Sequence, residues 1–317
     1  MTTTTTASAT AGNFTREDVL IPSAGAKLSA WRYVPAGLPA GERRPAIVMA
    51  HGWAAVKEMY LDDYAARFAS HGFVVTVFDY RNFGASEGEP RQHIDPAMQL
   101  EDYKNAITWT QAQESVNSDR IGVWGSSFSG GHVLQLATYD KRIKAVVSQV
   151  PLVDAAVQFR RLIRNDYWAG MFAWFAADRM EEFTTGKLGY VPVVDEQGKP
   201  QSLPTPDSYE WFTRAGKRAP TWQNTNTVRS LELALEYIPG AHIQMISPTP
   251  LLMVVAENDV LNPTDMALEA YNRALEPKQL VIVPGGHFDA YTTGFEASAG
   301  PALAWFKRHL IDRKSVG

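Results

Sequence analysis

The segment Gly125-Ser126-Ser127-Phe128-Ser129-Gly130-Gly131 sets a hydroxyl nucleophile among small side chains. A serine attacks a carbonyl only when a neighbouring base takes its proton and a tight turn lifts it clear of the backbone. Such a turn needs small residues two positions before and two after the nucleophile. With Ser127 as nucleophile these are Gly125 and Ser129, so a serine stands where a second glycine is usual. Ser126 would need a small residue at Trp124 and fails, and Ser129 lies too far into the helix that follows. The base is expected at His287, in Pro284-Gly285-Gly286-His287-Phe288-Asp289, because imidazole titrates near neutrality and a Gly-rich loop can bring its ring over Ser127. Asp259, in Glu257-Asn258-Asp259, is the expected acid that orients His287, with Glu257 and Asp154 as alternatives. Two backbone N–H groups must hold the oxyanion. Phe128, after the nucleophile, is expected to supply one, and Trp53, in His51-Gly52-Trp53, the other; His51 reads as a brace for that loop.

Strands must aim these residues at one point. Residues 45–50 (PAIVMA), 73–79 (FVVTVFD), 121–124, 145–150, 250–256 (PLLMVVA) and 280–283 are apolar runs without alternation, as in strands covered on both faces. Helical patterns at 58–70, 98–113, 131–139, 264–275 and 301–310 alternate with them. Two further strands, 19–22 and 28–35, read as a hairpin. This order predicts an α/β fold: a mostly parallel sheet of eight strands flanked by helices. Ser127 follows one strand directly and opens a helix, while Asp259 and His287 each follow later strands.

The chain of 317 residues suits one α/β core carrying an insertion. Residues 1–14 read as a disordered Thr/Ala-rich tail, 15–150 and 248–317 as the core, and 151–247 as an inserted, mainly helical cap rich in aromatic residues. There are no cysteines, which excludes disulfides and a thiolate nucleophile. A net charge of −4 without a basic stripe argues against a nucleic-acid partner. No run is long enough for a membrane span, and no secretory leader is recognisable, so a cytoplasmic enzyme is the expectation.

These motifs, together with Asp79-Tyr80-Arg81-Asn82-Phe83-Gly84-Ala85-Ser86-Glu87-Gly88, resemble the α/β-hydrolase superfamily from about Val19 to Leu310. The likeness is to its dienelactone-hydrolase-like and prolyl-oligopeptidase-related branch, which includes esterases and polyketide hydrolases. The resemblance implies the roles of Ser127, His287 and Asp259, a cap, and a bracing role for the loop from Asp79 to Gly88. The expected activity is hydrolysis of a carboxylic ester, lactone or thioester-like bond in a small, largely apolar substrate. An amidase or peptidase with the same triad is the alternative, and a non-catalytic binding protein a further one. Trp168, Phe172 and Phe175 are candidates for the substrate pocket. Arg160, Arg161 and Arg164 read as solvated or ion-paired, or else as contacts for a substrate carboxylate. No metal or cofactor is expected, and self-association is left open.

Overall fold

The computed structural model of the chain describes residues 9–10, 13–196 and 198–312. Three antiparallel strands open it: β1 (Ala9–Thr10), β2 (Phe14–Ser23) and β3 (Ala26–Pro35). β1 falls within the stretch expected as a tail over 1–14: Ala9 and Thr10 pair with Arg16 and Thr15. Residues 1–8 and 11–12 lie outside the described residues. The β2–β3 ladder starts at Phe14 rather than Val19. Its charged positions Arg16, Glu17 and Asp18 sit near the sheet edge, where a strand needs only part of its surface buried.

The core then alternates strictly. It runs β4 (Arg44–Ala50), α1 (Leu61–Ala69), β5 (Val74–Phe78), α2 (Pro96–Gln111), β6 (Val116–Ser126), α3 (Phe128–Tyr139) and β7 (Ile143–Gln149). The insertion follows, with α4 (Ala155–Leu162), α5 (Trp168–Thr185), β8 (Tyr190–Val191), α6 (Pro206–Ala215), β9 (Asn226–Thr227) and α7 (Val228–Leu235). β8 and β9 pair antiparallel, which adds a two-stranded ribbon to the expected helices. The core resumes with β10 (Leu251–Ala256), α8 (Thr264–Arg273), β11 (Lys278–Val283) and α9 (Phe295–Phe306). α9 begins six residues before Pro301, which the sequence pattern takes as a helix start; the ring is tolerated inside the helix at the loss of one hydrogen bond.

The sheet order is β1-β2-β3-β5-β4-β6-β7-β10-β11, parallel from β5 onward, so the expected eight strands gain a two-residue edge strand. β5 and β10 are buried at every position, and β4 at every position except Arg44. Uninterrupted apolar runs are what a sheet covered by helices on both faces requires. Among the described residues, no helix is long and apolar enough to cross a membrane.

α3 packs under β6 and β7 with a polar group at its centre. His132 is fully buried, its Nδ1 2.7 Å from the Tyr237 hydroxyl and its Nε2 2.9 Å from Gln99 Oε1. Gln99 Oε1 can only accept, so Nε2–H donates to it, and in the neutral ring Nδ1 accepts from the Tyr237 hydroxyl. Burial, helped by nearby His51, pushes His132 down from its ordinary 6.5 to about 3. The unfolded chain takes up this proton near pH 6.5 and the folded chain only near 3, so stability is lost as pH falls through that window. Denaturant titrations between pH 7 and 4.5 should show this loss. His132→Gln should flatten the dependence by up to one proton's worth, about 1.4 kcal/mol per pH unit.

Candidate active site

The turn from β6 into α3 places Ser127 at φ 62° and ψ −120°, a strained conformation for a residue with a Cβ. Its neighbours hold it there. The Ser127 N–H donates to the Gln149 carbonyl at 2.9 Å, and its own carbonyl accepts from Gly131 at 3.2 Å and Leu152 at 3.0 Å. The turn is so tight that a Cβ on Gly125 would lie 2.1 Å from the Ser129 carbonyl oxygen. Position 129 has room for a serine because its hydroxyl turns aside to the Tyr80 hydroxyl at 3.0 Å. Beneath the turn, Gln149 donates to Ser126 Oγ at 3.1 Å and accepts from Tyr64 at 3.0 Å.

Two loops at the carboxyl ends of β10 and β11 meet this turn. His287 Nε2 lies 3.0 Å from Ser127 Oγ, and His287 Nδ1 lies 2.7 Å from Asp259 Oδ2. Asp259 is held in turn, its Oδ1 accepting from the N–H groups of Leu261 (3.0 Å) and Asn262 (2.7 Å). With Nδ1–H donated to the carboxylate, Nε2 keeps the lone pair that faces the serine proton. Both alternative acids lie elsewhere in the structure. Asp154 caps α4 by accepting from the Val157 N–H, and Glu257 is exposed.

The loop after β4 lies directly over the turn. A Cβ on Gly52 would come within 2.8 Å of Ser127 Cβ and 3.3 Å of its Oγ. Trp53 and Phe128, the expected oxyanion donors, meet here with their rings edge to face at 5.1 Å. His51 is buried, and its Nδ1–H donates to the Gly52 carbonyl at 3.0 Å. Burial holds its pKa below the ordinary value, so the ring is a neutral brace.

Sequence reasoning missed the charged pair behind this brace. Asp79, at the end of β5, accepts from the Lys57 N–H at 2.7 Å and from Lys57 Nζ at 2.6 Å, and both side chains are buried. Burial works against the ammonium, but the carboxylates of Asp79 and Glu58 hold Lys57 above its usual range. Gly84 leaves space for this carboxylate: a Cβ there would lie 2.3 Å from Asp79 Oδ2. Farther along the same loop, Arg81 pairs with Asp102 at 2.6 Å. An isolated lysine in Ala55-Val56-Lys57 carries no motif that would reveal its partner 22 residues on.

Two clefts border Ser127. One is aromatic, with Trp211, Phe212, Phe288 and Tyr291 in its walls. The other is walled by Leu152, Phe159 and Leu162, with Gln158 and Asn262 as polar groups. Trp53, Leu203 and Leu261 border both. Leu203 belongs to the Asp195–Asp207 stretch, which composition marks as polar; it is the apolar exception within it. Trp168, Phe172 and Phe175, the residues expected in the pocket, line neither cleft. They stack along α5 instead, Trp168 on Phe172 at 5.6 Å and Phe172 against Phe175 at 6.5 Å. Aromatic content marks the cap, but only folding decides which rings face inward. Arg161 pairs with Asp265, Arg164 pairs with Asp166, and Arg160 lies over Trp168.

Gly52→Ala should displace the Ser127 side chain while leaving the sheet intact. The expected result is a loss of turnover of at least about 10²-fold with little change in thermal stability, read by steady-state kinetics beside a melting curve.

Residues 24–289 match the X-Pro dipeptidyl-peptidase (S15) family. A polyketide transferase of Penicillium sp., grgF, is 32% identical over 304 residues, covering 95% of this chain and 99% of its own. A thiohydrolase of Aspergillus aculeatus, aneE, is 32% identical over 243 residues, covering 74% and 76%. The crystal structure of the α/β-hydrolase GrgF from Penicillium sp. sh18 superposes with a TM-score of 0.79 at 31% identity, over 93% of this chain and 99% of that one. With an α/β-hydrolase fold and a match over most of its length, the chain belongs to the S15 family and is a hydrolase of the α/β-hydrolase superfamily.

Proposed function

We propose that this hydrolase cleaves carboxylic ester or thioester bonds of a small, largely apolar substrate through an acyl-enzyme on Ser127. The observation that carries the reading is the unbroken hydrogen-bond chain Ser127–His287–Asp259 at the point where two apolar clefts meet. Ser127 Oγ attacks the carbonyl carbon while His287 Nε2 takes its proton. Asp259 stabilises the imidazolium that forms. The N–H groups of Phe128 and Trp53 hold the oxyanion as it develops. His287 then returns the proton to the leaving oxygen or sulfur, and a water activated by the same ring releases the acid. One cleft takes the acyl chain and the other the leaving group. The name of the thiohydrolase relative supports including thioesters.

The peptidase activity in the family's description is the competing reading. Among the described residues, neither cleft is lined by Asp or Glu, so a peptide's terminal ammonium would be buried without a partner. Paired p-nitrophenyl esters, thioesters and p-nitroanilides of matched acyl groups test both. Esters and thioesters should turn over at least about 10²-fold faster than anilides. Ser127→Ala should lower kcat by about 10⁴-fold or more without changing the circular dichroism. Equal rates on anilides, or full activity in Ser127→Ala, overturn the proposal. Leu203→Ala should join the two clefts and raise kcat/KM for naphthyl over acetyl esters by about three- to tenfold.

A further inference from the structure

His287 tells the two clefts apart. Its ring stands in the wall of the aromatic cleft beside Phe288, whereas the described residues that wall the other cleft include Phe128 and not His287. The imidazole must hand its proton to the departing oxygen or sulfur, so the leaving group lies on the His287 side. The cleft of Leu152, Phe159 and Leu162 then takes the acyl chain.

One polar atom of that cleft is left without a partner. Gln158, on α4, is only 6% exposed and borders the cleft. Its Nε2 donates to the Leu261 carbonyl and to Asn262 Oδ1, both at 2.6 Å. The Leu261 carbonyl can only accept, so the amide cannot turn over. Asn262 is locked in the same way, because its Nδ2 donates to the Val150 carbonyl at 2.7 Å. Backbone carbonyls therefore orient both amides. Gln158 Oε1 points away from the partners of Nε2, and among the described residues no hydrogen bond reaches it. It is not among the polar atoms sealed from solvent either, so it opens on the cleft.

The other side-chain polar groups of this wall are engaged or closed off. Ser202 Oγ donates to Asn226 Oδ1, Asn262 is held through Oδ1 and Nδ2, and Trp53 Nε1 is shut away from solvent. The group that meets Gln158 Oε1 must donate a hydrogen bond and ask for little in return. An ammonium would need a carboxylate, and no Asp or Glu among the described residues lines the cleft. An amide N–H would bring a carbonyl that finds no donor in the wall. A hydroxyl supplies the one donor and brings no second polar group. Given the acyl-enzyme proposed above, we infer that this cleft is a hydroxyacyl site: Gln158 Oε1 accepts a hydrogen bond from a hydroxyl on the acyl chain, and the substrate is an ester or thioester of a hydroxylated acid.

Steady-state kinetics on p-nitrophenyl octanoate and its 3-, 6- and 7-hydroxy derivatives test this. Hydroxyls closer to the middle of the chain are avoided because they close to lactones. In the wild type at least one hydroxy ester should exceed octanoate in kcat/KM by about tenfold or more, and its methoxy counterpart, which cannot donate, should not. The Asn262 N–H also donates to Asp259 Oδ1 at 2.7 Å, so a change at Gln158 can lower every rate. The readout is therefore the ratio of hydroxy to plain ester within one enzyme. Gln158→Met should bring that ratio to about one or below, and Gln158→Asn, which keeps the amide on a shorter stem, should cut it by at least about threefold. Hydrolysis of every ester with ratios below about threefold overturns the inference and leaves the acyl-enzyme standing. So does a ratio that survives Gln158→Met, or a wild type that prefers methoxy or amide-bearing chains. A protein that hydrolyses none of these esters overturns the proposed function and the hydroxyacyl site together.

Discussion

Ser127 is held in a backbone conformation that costs on the order of 1–3 kcal/mol. Everything near it serves to keep the chain in that state. The N–H and carbonyl of Ser127 are tied to β7, to the first turn of α3 and to the segment after β7, so relaxing the strain would break three hydrogen bonds. Gly125 and Gly52 remove the two Cβ atoms that would block the turn from below and from above. The small residues are required because the sheet brings two backbone segments closer than a methyl group allows.

A second layer consists of polar groups in the interior, each with a stated partner. Gln149 joins Ser126 to Tyr64, His132 joins Gln99 to Tyr237, and Asp79 holds Lys57. Such groups do little for net stability compared with packed hydrocarbon. Their geometry is directional, however, and an apolar core of equal volume would let α3 and the β4 loop shift past one another. A site that must hold Ser127, His287 and the Gly52 loop within a few tenths of an ångström gains from that directionality. The cap has buried polar pairs of its own, Ser202 with Asn226 and Thr227 with Ser230. It sends one leucine, Leu203, between the clefts while turning the outer face of α5 to solvent.

Much of the site can be read from the chain because the chemistry is local to strand ends. Gly125-x-Ser127, the Gly-rich run before His287 and the acidic segment at Glu257–Asp259 each follow an apolar strand, and parallel strands deliver their carboxyl ends to one edge of the sheet. The succession of strands and helices along the chain and the covered, mostly parallel sheet therefore follow from sequence and elementary physics. The choice of Asp259 over Glu257 and Asp154 needed three dimensions, since it depends on which carboxylate reaches the far nitrogen of His287. Lys57, paired with a carboxylate 22 residues away, had no periodic or spacing signal at all.

The cap shows the limit most clearly. Its aromatic composition is plain in the sequence, but Trp168, Phe172 and Phe175 pack along α5, whereas Trp211 and Phe212 reach the cleft. Helical periodicity assigns residues to faces of one helix and says nothing about which face meets the core. The sequence by itself determined the tight turn that carries Ser127, the Gly-rich loop that carries His287 and the α/β sheet that aims them, because each depends on short-range sterics and on apolar runs. Tertiary structure alone decided which of the candidate carboxylates reaches His287, the walls of the clefts and the exposed face of α5, because each depends on how separately folded segments pack.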